Sequence, residues 1–171
     1  VYSNANITNI AGTIPGSVCA KGGEIFVDNN TIVKGDVIAY GQVQLNNSVQ
    51  VKGKVVSATS YVNVNNKATV AGDTVGYGID NKGNSVNLVN STVNKVYTKN
   101  GESCFYEKNS TYIGPIYSLP VEPNYPAEYS IPSEELPVIN DSIREIWINQ
   151  AQSGDTINGD YHLSNGIEGS L

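Results

Sequence analysis

The sequence carries little charge, and almost none of it comes from arginine. Charged residues make up 15% of the 171 residues, the formal net charge is −6, and Arg144 is the only arginine. Because phosphate neutralisation needs clustered lysine and arginine, this composition argues against a nucleic-acid partner and against binding to an anionic membrane surface. The chain also has no apolar run of about 18 residues, so we expect these residues to make no membrane contact.

Residues that bind metals or carry out catalysis are equally scarce. His162 is the sole histidine, and Cys19 and Cys104 are the only cysteines. Zinc sites use paired ligands, and a hexapeptide-repeat acyltransferase needs a catalytic histidine in a cleft, so neither fits. A polysaccharide lyase or hydrolase needs clustered carboxylates, whereas Asp36 and Asp73 recur at one repeat position as surface charges do. We therefore predict that the protein is not an enzyme, with no catalytic residue, metal or cofactor.

Glycine, asparagine, serine, threonine and valine are abundant, and these are residues of strands and turns. A phrase of the form V-x-G-x-V recurs at intervals of 19, 18 and 19 residues. A fifth copy around Val93 has asparagine in place of glycine and follows an insertion at 76–83. Self-similarity at such a period is the signature of a solenoid. The glycines of the first four copies are Gly16, Gly35, Gly53 and Gly72.

Apolar residues at equivalent repeat positions form columns and alternate with polar neighbours, which predicts short strands with one buried face. One coil cannot bury this face alone, but coils stacked at ~4.8 Å form a continuous core. Between 33 and 56 the apolar spacing is close to six, which predicts a triangular section that suits either hand. The predicted fold is an all-β, single-stranded parallel β-helix of about 18–19 residues per coil, with right-handed coils preferred. The columns are Ile14, Val33, Val51, Val70 and Val93; Ile25, Val43, Val62 and Val86; and Val27, Leu45, Val64 and Leu88.

Asparagine also recurs in register, two residues after the last of these columns. Asparagine tolerates the left-handed backbone that a sharp corner requires. Stacked side-chain amides can also hydrogen-bond from coil to coil as a ladder. We therefore predict an asparagine ladder along one corner of the solenoid. Its members are Asn29, Asn47, Asn66 and Asn90.

The two cysteines leave two alternatives open. Cys19 lies in the first coil and Cys104 just past the fifth, roughly 19 Å apart for a rise of ~4.8 Å per coil. A disulfide therefore requires the segment after the fifth coil to fold back. A bridge suits an exported protein and free thiols suit a cytosolic filament protein. We favour the bridge.

The repeat stops after the fifth coil, and four segments are predicted. Residues 1–98 form the coils, and residues 99–139 form a proline- and tyrosine-rich irregular arm, because proline cannot donate to a β-ladder. Residues 140–154 form an amphipathic helix packed on the solenoid, with Trp147 as its packing anchor. Residues 155–171 resume the repeat phrase, and we expect the natural protein to continue beyond them.

Two resemblances follow from these motifs. The coil repeat resembles bactofilin-type polymer-forming β-helices in its stacked V-x-G-x-V phrases with six-residue faces. Most of the chain more closely resembles the ectodomains of type IV pilin-like, pilus-assembly-associated surface proteins. In those, coils lead to a cysteine, a proline-rich link, a P-[IV]-x-[DN]-x-x-I-x-x-W helix, then G-D-Y and I-x-G-x-L. The matching elements here are Cys104, the proline-rich 115–137, Pro137 to Trp147, Gly159 to Tyr161 and Ile167 to Leu171.

The second resemblance implies a non-catalytic structural module of an extracellular, pilus-associated or cell-surface protein that acts in filament assembly or adhesion. Its membrane or pilus anchor is expected outside this stretch, and its partners are expected to be protein chains that add at the solenoid ends or edge strands. One alternative is a bactofilin-like scaffold that polymerises through its ends. Another is a carbohydrate-binding or carbohydrate-cleaving β-helix that uses the tyrosines of 97–129 to stack on surface glycans.

Overall fold

The computed structural model describes residues 1–119, together with Glu145 and Asn149. Residues 1–119 form a parallel β-solenoid of about six turns, with about 19 residues per turn and almost no helix. Each full turn contributes one short strand to each of three parallel sheets, here called A, B and C. The predicted fold class and the predicted three-sided coil are therefore confirmed.

The strands are short because each coil turns a corner after two to four residues. Sheet A contains β1 (Tyr2–Ser3), β4 (Val18–Ala20), β7 (Val37–Ala39), β10 (Val55–Ser57), β13 (Thr74–Gly76), β16 (Val96–Thr98) and β18 (Ile116–Ser118). Sheet B contains β2 (Ile7–Ile10), β5 (Ile25–Val27), β8 (Val43–Leu45), β11 (Val62–Asn65), β14 (Val86–Val89) and β17 (Phe105–Lys108). Sheet C contains β3 (Thr13–Ile14), β6 (Ile32–Val33), β9 (Gln50–Val51), β12 (Thr69–Val70) and β15 (Thr92–Val93).

The predicted apolar columns line the interior of the solenoid. In sheet C, Val51 pairs with Val33 on one side and with Val70 on the other, and Val93 follows Val70. These four valines are 0–3% exposed. In sheet B the two predicted columns pair in the predicted register. Since β-branched side chains pack well on a pleated sheet, the valine-rich phrase explains why each coil settles on the next in one register.

One position in the inner column of sheet A is polar. In the fourth coil Thr74 pairs with Val55 and Val96, so threonine rather than the following Val75 occupies the inner column of sheet A. The Thr74 side chain is fully buried, and its hydroxyl has no hydrogen-bond partner among the described residues. Burying a hydroxyl without a partner is unfavourable, so this is a weak point of the core.

Sheet A is apolar on its outer face as well. Its strand centres carry Cys19, Ile38, Val56 and Val75, which are 0–4% exposed and form a second apolar cluster with Leu119. Sheets B and C present mainly polar outer residues. Parallel strands buried on both faces read as continuous apolar runs, which is why these three-residue strands lack the alternation seen in sheet B.

The solenoid continues past residue 98, where the sequence analysis placed the start of an irregular arm. A 3₁₀ helix (Gly101–Cys104) leads into β17, which pairs with β14, and β18 then pairs with β16. A single bridge between Thr111 and Thr92 extends sheet C. A sixth turn therefore forms without the V-x-G-x-V phrase. Pro115 is exposed and precedes β18, so it removes no ladder hydrogen bond within that strand.

The predicted helix at 140–154 falls mostly outside the described residues. Of that segment, Glu145 and Asn149 are described, and both are helical and exposed. Both belong to a second compact unit, Glu135–Leu171. The expected anchoring role of Trp147 and the resumed coils at 155–171 lie outside the described residues.

Candidate functional site: the asparagine corner and a polar groove on sheet B

The predicted corner asparagines all adopt the left-handed backbone. Asn29, Asn47, Asn66 and Asn90 have φ values of 58°, 46°, 53° and 48°, and Asn109 extends the series at 53°. The next residue also has positive φ in three of these corners. Asparagine tolerates this conformation better than most residues other than glycine, so the sequence places it where each coil turns most sharply.

The amide ladder along this corner is present but interrupted. Asn66 donates to Asn47 at 3.3 Å, and Asn109 donates to Asn90 at 3.5 Å. The Asn47 amide donates instead to the Asp28 carboxylate at 2.5 Å. Backbone hydrogen bonds at the corners continue from coil to coil alongside these side-chain contacts. The corner is thus held by backbone geometry first and by amide pairs second.

Three of the four repeat glycines, Gly35, Gly53 and Gly72, are required by close approach between coils. The N–H of Gly53 donates to the carbonyl of Gly35 at 3.1 Å, and the N–H of Gly72 donates to that of Gly53 at 2.9 Å. A Cβ built on Gly72 would lie 2.7 Å from the carbonyl carbon and oxygen of Gly53. At Gly16, in the first coil, no atom of residues 1–119 lies within 4 Å of such a Cβ. The glycine column therefore lets neighbouring backbones meet where a side chain would hold them apart.

The disulfide favoured from the sequence is not formed in the structure. Cys19 lies on the outer face of β4, and Cys104 ends the 3₁₀ helix that precedes the sixth strand of sheet B. Neither cysteine is in a disulfide, and both are buried, at 1% and 7% exposure. The segment after the fifth coil forms a further turn, so it does not carry Cys104 back to the first coil.

A polar groove of about 380 Å³ lies on the outer face of sheet B. It forms where the insertion between β13 and β14, with its turn at 80–83, stands beside the sheet surface. Asn63 of β11, Asn87 of β14 and Tyr106 of β17 follow one another across three neighbouring strands. Residues that line the groove include Tyr61, Asn63, Asp80, Lys82, Asn87 and Tyr106.

Asp80 organises the wall of this groove. Its Oδ1 accepts the backbone N–H groups of Lys82 and Asn84, both at 2.8 Å. Its Oδ2 accepts the Asn87 amide at 3.1 Å, which ties the loop to sheet B. Partial burial by itself raises the pKa of Asp80, but these hydrogen bonds to the carboxylate outweigh burial and lower its pKa below the ordinary 3.8. The carboxylate is therefore ionised and engaged at neutral pH.

The remaining groups of the groove are amides and a phenol. Asn87 donates to Asn63 Oδ1 at 2.9 Å and also to Asp80, so both of its N–H groups are used. The Tyr61 hydroxyl donates to Gln42 at 2.8 Å. Burial, followed by the negative charges of Asp80 and Glu24, raises the pKa of Tyr61. Tyr61 therefore remains a neutral phenol.

This arrangement offers hydrogen bonds and aromatic surface. Within residues 1–119, no group of three or more histidine, cysteine, aspartate or glutamate side chains is placed to hold a metal ion. No helix among the described residues is long and apolar enough to cross a bilayer.

The tyrosines expected to form one surface at 97–129 lie on two different sheets. Tyr97 and Tyr117 stack on each other on sheet A, with their ring centroids 4.9 Å apart, while Tyr106 lines the groove on sheet B. Tyr125 and Tyr129 lie outside the described residues.

Sequence reasoning identified the insertion at 76–83 but treated it only as a loop between strands. The groove depends on the coil register that brings Asn63, Asn87 and Tyr106 together. The repeat phrase is absent from the sixth turn, so the sequence does not indicate how β17 pairs with β14. Comparison of the chain with protein-family models, with curated proteins and with solved structures finds no match.

Proposed function

We propose that this chain is a non-catalytic structural module of an extracellular, pilus-associated or cell-surface protein, and that it acts in filament assembly or adhesion. The proposal is supported by the structural role of each repeated residue type. The valine columns fill the core, the glycine column sets the coil spacing and the corner asparagines turn the chain. The proposed location at the cell surface rests on the order of the sequence motifs, which resembles that of pilin-like ectodomains.

The observation that carries the proposal is the unbroken coil-to-coil pairing. Sheet A runs through seven parallel strands, which at ~4.8 Å per step corresponds to roughly 29 Å. A solenoid of this kind is held by contacts between neighbours along its whole length, so it suits a stiff spacer or a presenting platform. A stiff spacer is what a surface or pilus-linked protein needs to hold a binding element away from its anchor.

The proposed location is tested by brief trypsin treatment of intact native cells, followed by mass spectrometry of the released peptides. We expect peptides of residues 1–119 in the supernatant together with those of known surface proteins. A cytosolic protein serves as the lysis control. Peptides of this chain that appear only after the cells are broken, alongside the cytosolic control, would contradict an extracellular role.

A bactofilin-like scaffold is the second candidate, and the open edge of the first turn favours it. Strands β1, β2 and β3 each lie at the end of their sheet, and among the described residues each has a partner strand on one side only. Such an edge can add a strand from another chain. Sedimentation velocity over a wide range of protein concentration tests this. Growth into long polymers supports the scaffold, whereas a single monomeric species at the highest concentration contradicts it.

A further inference from the structure

We propose that the polar groove on sheet B binds a neutral saccharide, through stacking on Tyr106 and hydrogen bonds to the amide of Asn63. This inference goes beyond the structural role and does not depend on it. It rests on the composition of the groove, on the hydrogen bonds that its side chains already make and on the charges that it holds.

The floor of the groove presents donors that the protein itself does not use. Asn63 accepts from Asn87 through Oδ1, and its Nδ2 has no acceptor among the described residues. The Asn87 oxygen likewise accepts no described hydrogen bond. One amide therefore offers donors and its neighbour offers an acceptor, one strand apart at ~4.8 Å. Adjacent hydroxyls of a sugar ring donate and accept together, which is the pattern that such a pair of amides can satisfy.

Tyr106 supplies the aromatic surface. It follows Asn87 on the next strand, and its side chain is 45% exposed although it lines the groove. Side chains on a sheet stand roughly perpendicular to it, so a ring at the end of this column can take one face of a ligand. The C–H groups on one face of a pyranose pack against such a ring while its hydroxyls reach the amides.

The charges of the groove disfavour other ligand classes. Lys82 is exposed and is the one basic residue among the described residues that line the groove, so these residues do not provide the clustered positive charge that phosphate requires. The Asp80 oxygens already accept three hydrogen bonds, two of them from backbone N–H groups, which leaves them poor ligands for a cation. A floor of amides also disfavours a purely apolar ligand, because the amides would lose their hydration. A neutral polyhydroxylated molecule remains.

The size of the groove sets the expected affinity. At about 380 Å³ it lies near the lower end of the ~300–1,000 Å³ typical of small-molecule sites. A ligand of one or two sugar rings makes few contacts there, so we expect dissociation constants on the order of 1 mM. Saturation-transfer-difference NMR and ligand titration detect binding in this range.

The experiment uses the full chain and a panel of methyl glycosides of glucose, galactose, mannose and N-acetylglucosamine, with cellobiose, lactose and glucuronic acid. We expect saturation transfer to at least one neutral sugar. Tyr106→Ala is expected to weaken its binding roughly three- to tenfold. Tyr40→Ala is the matched control, since Tyr40 is 51% exposed and lies outside the groove.

A second variant does not depend on the aromatic ring. Asn63→Asp keeps the oxygen that accepts from Asn87 and removes the two unused donors, so it should weaken sugar binding severalfold at pH 7 while the thermal unfolding curve stays close to wild type. The proposal is overturned if no neutral sugar binds, if glucuronic acid is the only ligand, or if Tyr40→Ala weakens binding as much as Tyr106→Ala and Asn63→Asp do.

Discussion

Replacing Thr74 by valine is expected to stabilise the protein. Thr74 lies in the inner column of sheet A between Val55 and Val96, it is fully buried, and its hydroxyl has no partner among the described residues. Valine has nearly the same shape and no polar atom. Removing the desolvation cost of the hydroxyl should raise the free energy of unfolding by about 1–3 kcal/mol.

Thr98 provides the matched control. It is also fully buried in sheet A, but its hydroxyl donates to the carbonyl of Gly101 at 2.6 Å. Thr98→Val therefore removes a hydrogen bond and leaves a carbonyl unsatisfied, and it should lower the free energy of unfolding by about 1–3 kcal/mol. The same substitution in the same sheet is thus predicted to have opposite signs at two positions.

Equilibrium unfolding in urea measures both variants. An unchanged m-value with a midpoint shifted upward for Thr74→Val and downward for Thr98→Val is the expected result. A downward midpoint shift for Thr74→Val, like that of Thr98→Val, would refute the reasoning, because it would show that the hydroxyl of Thr74 has a hydrogen-bond partner in the folded protein. A change in m-value would instead indicate that the substitution alters the compactness of the native or unfolded state.

The remaining predictions concern the glycine column, the corner and the groove. Gly53→Ala should lower the free energy of unfolding, measured in urea, by about 1–3 kcal/mol, because the added Cβ would meet the Gly35 carbonyl. Gly16→Ala is the control and should change this free energy by less than about 0.5 kcal/mol. Equal effects of the two substitutions would contradict the close approach of the backbones at Gly53. Asn66→Ala should lower the free energy of unfolding by about 1–2 kcal/mol, because the backbone φ at this position is 53° and alanine disfavours it. Asn66→Gly should lower it clearly less, because glycine adopts this conformation readily. Similar losses for the two variants would mean that the side-chain amide contributes more than the backbone conformation. Because the folded pKa of Asp80 is lowered, its stabilisation should be present above about pH 4 and be lost as the pH falls through the folded pKa. The stability advantage of wild type over Asp80→Asn should therefore shrink on acidification in thermal unfolding, and an advantage independent of pH from 7 to 3 would contradict this.

The columns and corners could be predicted because each uses a residue type that is required at one position. Val51 must be small, branched and apolar to sit between two other valines, and Asn66 must tolerate positive φ, so both appear in the sequence at the coil period. The position of Thr74 could not be read in the same way, since Thr74 and Val75 both fit the end of the phrase. Only the pairing of β13 with β10 decides which of them points inward.

The sixth turn and the groove were harder to predict for a different reason. The sixth turn lacks the repeat glycine, and Pro115 suggested an irregular chain, yet β17 and β18 add to existing sheets that already offer unpaired edges. Tyr106 enters the groove through that pairing. The contacts of Asp80 also depend on how far the insertion reaches over sheet B, and a loop sequence does not specify that reach.

The stacking of coils is tested most directly by NMR on protein labelled with ¹⁵N and ¹³C. In a parallel solenoid, Val51 must show nuclear Overhauser contacts to Val33 on one side and to Val70 on the other, in the pattern of parallel strands. Strong contacts between the Hα protons of Val51 and a facing strand, which antiparallel pairing produces, would contradict the fold and every role that depends on it.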